Sequence, residues 1–108
     1  MATGDDVKRI AFSLPGTTAA PHFDRTAFKV DRIFATLDAQ GRTANLNFTP
    51  DEQEFKCQFA PDIFAPIDNA WGRQGWTTVT LAAAGEDDLR AALEMAHAHA
   101  LGKPRRKR

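Results

Sequence analysis

The apolar positions change period along the chain, and each change marks a new element. Val7, Ile10, Ala11 and Leu14 recur at i, i+3, i+4 and i+7, the spacing of one helix face. Asp5 and Asp6 suit the N-terminus of that helix, where carboxylates cap free N–H groups and meet the positive end of the dipole. Pro15-Gly16 stops the pattern, and the following TTAAPHFDR reads as a loop. The period then becomes two. Phe28 and Val30 share a face, with Lys29 on the other. Ile33, Ala35 and Leu37 alternate with Phe34, Thr36 and Asp38. AQGR reads as a turn with Gly41 free to take positive φ. Ala44, Leu46 and Phe48 then alternate with Thr43, Asn45 and Asn47. This predicts a three-stranded antiparallel meander with one apolar and one polar face.

Thr49-Pro50-Asp51-Glu52 is a strong helix start: an N-cap threonine, proline at the first position and glutamate at the third. The short helix carries Phe55 and Phe59 at i, i+4 and ends at Pro61. Ile63–Ile67 reads as a strand that Pro66 confines to an edge or to the strand's end. AWGRQGW, with both tryptophans of the chain, reads as a glycine-flanked basic turn before the strand WTTVTL. In that strand Thr77, Val79 and Leu81 take one face and Trp76, Thr78 and Thr80 the other. Gly85-Glu86-Asp87-Asp88 caps a last helix with the stripe Leu89, Ala92, Leu93, Ala96 and Ala100, terminated by Gly102 and Pro104. The order predicts an α+β two-layer sandwich, an antiparallel sheet with helices packed on one face.

A chain of 108 residues is one domain by size, here residues 1–102. Residues 103–108, KPRRKR, read as a basic, disordered tail. Fourteen basic residues balance fourteen acidic ones, so no global field steers the molecule toward nucleic acid or an anionic membrane. The single cysteine, Cys57, excludes an internal disulfide framework and suits a reducing compartment. The N-terminus lacks the basic and apolar regions of a signal peptide, and no apolar run approaches the roughly 18 residues of a membrane span. A cytoplasmic monomer with no membrane partner is expected.

Several segments together resemble the MmcQ/YjbR family of small bacterial proteins. They are SLPGTTAAPHF, FKVDRIFATLD, NLNFTPDEQEF, and AWGRQGWTTVTLA leading to DLRAALEMAHAHA. The resemblance runs from about Val7 to about Leu101. It implies a sandwich similar to bacterial frataxin (CyaY) and a DNA-binding label based on a double-wing arrangement of hairpins. It supplies no catalytic residues. The dense acidic ridge of frataxin-type iron binding is absent, since Asp5 and Asp6 serve as caps.

Arg25, Lys29, Arg32, Arg42 and Arg73 fall on or beside the expected hairpin turns, where they would contact phosphates together with Lys103, Arg105 and Arg106 of the tail. Asp24, Asp31 and Asp38 are interspersed and reduce the local excess. Alternation places Trp76 and Phe34 on the open, polar sheet face. There they would form a stacking platform for bases, or else Trp76 simply packs across strands, or a bulge near Gly75 flips the register and buries it. Trp71 is expected beneath its turn, with its N–H bonded to backbone. His97 and His99, two apart on a helix, point to different faces and are expected on its surface. His22 and Asp24 lack a third partner for a catalytic grouping, and Cys57 reads as a structural thiol. No Gly-rich phosphate loop or nucleophilic grouping is present, so no cofactor or metal is expected. The chain is read as a non-catalytic protein that binds DNA weakly and in a salt-dependent way. The alternative is a protein-interaction or small-ligand adaptor using the face around Trp76 and Phe34.

Overall fold

The computed structural model describes residues 1–101, so Lys103, Arg105, Arg106 and the boundary at residue 102 lie outside the described residues. The elements run α1 (Gly4–Ser13), β1 (Thr18–His22), β2 (Arg25–Lys29), β3 (Ile33–Leu37), β4 (Thr43–Asn47), α2 (Pro50–Phe59), β5 (Phe64–Pro66), α3 (Ala70–Arg73), β6 (Trp76–Thr80) and α4 (Glu86–Ala100). The strands form one antiparallel sheet in the order β1-β2-β3-β4-β6-β5. Helices α1 and α4 cover one face. Val7, Ile10 and Ala11 of α1 and Leu89, Ala92, Leu93 and Ala96 of α4 meet Phe28, Ala35, Leu46 and Val79 of the sheet, all fully buried. Burying each of the Val, Ile, Leu and Phe side chains among them stabilises the fold by about 1.5–3 kcal/mol.

The starts of the helices follow the capping chemistry in the sequence. Thr49 accepts from the N–H of Glu52 at 3.1 Å while Glu52 accepts from the N–H of Thr49 at 2.9 Å. For α1 the cap is Thr3 rather than an aspartate. Its hydroxyl accepts from Asp6 N–H, and the Asp6 carboxylate accepts from Thr3 N–H at 3.0 Å. Asp88 does the same for the Gly85 N–H at the start of α4.

Three local readings change. TTAAPHFDR is not a loop: Thr18–His22 forms edge strand β1, paired to β2 from Thr18↔Lys29 to His22↔Arg25. All five residues of β1 are exposed, so no alternation marked it, and its Pro21 is tolerated because an edge strand need not donate on both sides. The AWGRQGW turn holds a one-turn helix, α3, capped by Asn69, whose carboxamide accepts from Trp71 N–H at 2.8 Å and Gly72 N–H at 3.2 Å.

The third change concerns Phe34. Phe28 pairs with Ala35, but Lys29 pairs with Ile33, so β3 carries one extra residue at this step. That residue is Phe34, a β-bulge. The bulge turns Phe34 to the helix side, where it is fully buried with its ring edge-on to His97 at 5.3 Å. Strict alternation had put Phe34 on the open face and Ile33 in the core. The bulge exchanges them. His97 is correspondingly buried, not on the helix surface, and its Nε2 donates to the Pro15 carbonyl at 2.8 Å.

Gly75 joins α3 to β6 at φ +117°, and a Cβ there would overlap the Phe48 carbonyl. Both its backbone conformation and its neighbour demand glycine. Gly75→Ala is expected to cost about 3 kcal/mol or more of stability. Urea unfolding should show a lower midpoint with an unchanged m value.

Candidate nucleic-acid interface

The face of the sheet opposite α1 and α4 is a cleft. Register sets its floor: Thr36 lies opposite Asn45, Asn45 opposite Thr78, and Asn47 opposite Trp76. The Thr78 hydroxyl donates to Asn45 Oδ1 at 2.9 Å, which fixes the carboxamide. The tip of the β1–β2 hairpin rims one end, with His22 and Phe23. Helix α3 and the segment before it rim the other, with Ile67, Asn69, Trp71 and Gln74. The open cleft has a volume of about 580 Å³, within the size range of ligand sites.

Trp76 is half-buried on this floor, as its position in β6 predicted. Trp71 is not beneath the turn but 60% exposed, and its indole meets that of Trp76 edge-on at 6.5 Å, 85° between planes. The two rings form a right-angled aromatic corner. Gln53 of α2 holds the backbone beneath it. Its Nε2 donates to the carbonyls of Gly72 at 2.8 Å and Trp76 at 2.9 Å.

Two of the expected arginines line the cleft at opposite ends of the β2–β3 pair. Arg25 Nε donates to Thr36 Oγ1 at 2.9 Å and Nη2 to the Thr36 carbonyl at 3.4 Å. Arg32 Nη2 donates to the His99 carbonyl at 2.7 Å, which also satisfies a free carbonyl in the last turn of α4. The other expected contacts do not join them. Lys29 is exposed at the end of β2, and Arg73 is exposed on α3. Arg42 lies on the β3–β4 turn, beside a separate depression formed with the start of α1. Phe34 is absent from the face, as the bulge requires.

None of the acidic residues that dilute these arginines in sequence lines the cleft itself. Asp38 accepts from the Arg42 N–H at 2.8 Å and from Thr43 Oγ1 at 3.3 Å, stapling its own turn. Asp24 borders a shallow depression beside the cleft, which it shares with Phe23 and Arg25. The described lining of the cleft contains Arg25 and Arg32 and no carboxylate. His22 packs its ring against Phe23 at 4.9 Å rather than pairing with Asp24. Cys57 is half-buried, and burial pushes its thiol pKa up, the behaviour of a structural cysteine. Among the described residues no three His, Cys, Asp or Glu side chains are grouped to hold a metal ion, and no helix is long and apolar enough to cross a membrane.

The YjbR family model matches residues 12–99. The chain belongs to the YjbR family. The crystal structure of the Deinococcus radiodurans protein DR2400, a DUF419 domain, is similar to it with a TM-score of 0.76 and 25% identity, covering 89% of this chain and 76% of that one. No curated protein matches the chain. The matched YjbR region contains every described residue of the cleft.

Burial lowers the pKa of His99, and the nearby Arg32 guanidinium lowers it further, against a smaller opposing effect of Glu52. His99 is therefore expected to stay neutral to lower pH than a free histidine. An NMR titration of Arg32→Gln should move its midpoint back up, reporting the charge at this end of the cleft.

Proposed function

We propose that this YjbR-family chain is a non-catalytic nucleic-acid-binding protein that takes an unpaired strand across the open sheet face. The observation that carries the reading is the composition of the cleft: two arginines, a right-angled pair of indoles, a floor of amides and hydroxyls, and no carboxylate among the described lining residues. Guanidinium groups suit phosphate, aromatic faces suit bases of any sequence, and side-chain amides suit base edges. The neutral overall charge does not oppose this, because two arginines line the cleft and no carboxylate is among its described lining residues.

Unpaired strand is favoured over duplex on two grounds. A duplex hides its base faces from the indoles. And the hairpin arginines expected to act as paired wings are not gathered: Arg25 is at the cleft, whereas Arg42 is beside another depression. The cleft volume of about 580 Å³ supports a second reading, a small planar anion bound as a single unit. The two differ in length dependence. Affinity for a strand rises with oligonucleotide length until the face is filled, whereas affinity for a small anion does not.

Fluorescence anisotropy with a labelled single-stranded oligonucleotide tests the proposal. Trp76→Ala should weaken binding by about 1–3 kcal/mol while the fold survives. Arg25→Gln and Arg32→Gln should each flatten the slope of log affinity against log salt by about 0.7. Binding that is indifferent to salt and to all three substitutions contradicts the proposal.

A further inference from the structure

The residue at the mouth of the cleft suits neither its turn nor the core. Phe23 lies in the two-residue loop closed by the His22↔Arg25 pair and has φ 60°, the one non-glycine residue with positive φ among the described residues. Such loops ordinarily place Gly, Asn or Asp at positive φ, and a bulky aromatic residue there is strained. Its ring gains little from the fold in return. It is 93% exposed and touches the edge of His22. A glycine would relieve the strain and remove apolar surface from water. The hairpin that carries it is held firmly, because Arg25, two residues on, is bonded twice to Thr36 in the adjacent strand β3.

We propose that Phe23 is a base-stacking residue of the nucleic-acid site. Its ring covers a base of the bound strand at the hairpin end of the cleft, opposite the Trp71–Trp76 corner. The inference rests on the proposed function and adds to it a third aromatic contact and a direction for the strand, across the sheet from α3 to the hairpin tip. Three features favour a base as occupant. Phe23 borders the same cleft as Arg25 and Arg32. The described cleft lining lacks the carboxylate that a cationic ligand would need, Asp24 of the same loop lining the neighbouring depression and not the cleft. And an aromatic ring in water gains by stacking on any base, whatever its identity.

The test compares stability and binding in the full chain, because the inference predicts that they move in opposite directions. Phe23→Gly should raise the melting temperature by a few degrees, since glycine accepts positive φ without strain. It should weaken binding of a single-stranded DNA oligonucleotide by about tenfold. A fluorescent adenine analogue placed at successive positions of that oligonucleotide should lose its stacking signal at one end only. Phe23→Trp should keep both affinity and signal. Phe23→Leu, equally apolar but without a ring, should lose them, which keeps the test decisive if the glycine variant folds poorly. Phe23→Leu and Phe23→Gly binding like the parent chain would overturn the inference. If Trp76→Ala abolishes binding in the same assay, the site survives and the role of Phe23 alone is rejected. A parent chain that does not bind the oligonucleotide rejects both.

Discussion

One extra residue in β3 decides what each face of the sheet becomes. With Phe34 bulged toward α4, its ring joins the core and packs on His97, and His97 in turn holds the Pro15 carbonyl at the end of α1. The same shift leaves Ile33, a smaller side chain, on the opposite face. Without the bulge a phenylalanine would occupy the floor of the cleft beside Thr36, and α4 would lack its aromatic partner. The bulge thus serves the covered face by filling it and the open face by clearing it.

Most of the architecture was legible in the sequence because its signals are local. The capping sequence at Thr49, the i, i+3, i+4 stripe of α4 and the alternation in β4 and β6 each depend on neighbours a few residues away. What was not legible depends on pairing. Strand β1 buries nothing on either side, so it has no periodicity to read, and only its ladder with β2 defines it. The bulge left a weak trace: Ile33-Phe34-Ala35 is a run of three apolar residues, and strict alternation would have put a phenylalanine among threonines and asparagines. His97 was misplaced for the same reason, since its burial follows from the position of Phe34. For α3 the signal was present in Asn69, a good N-cap, but the paired glycines suggested a turn instead.

The candidate site shows the same division. Trp76 was placed correctly by alternation alone. The arginines were identified by type, but which of them meet is a property of the fold. Arg25 and Arg32 are seven residues apart in sequence and line the cleft at opposite ends, while Arg42 sits on the Asp38-stapled turn beside another depression. Charge counted along the chain is neutral, whereas charge counted around the cleft is not. A protein of zero net charge can carry an anion site wherever the sheet sorts its cations from its carboxylates.

The central claim is that the open face, not the covered one or the separate depression near Arg42, receives nucleic acid. The most direct measurement is a titration of the ¹⁵N-labelled protein with a short single strand at physiological salt, following backbone amides and the two indole N–H signals. The account predicts shifts at Trp71 and Trp76, along Thr36, Asn45 and Asn47, and at the hairpin tip, with α1 and the core-facing side of α4 unmoved. Indole signals that stay fixed while shifts gather around Arg42 and the start of α1, or no shifts at all, would contradict it.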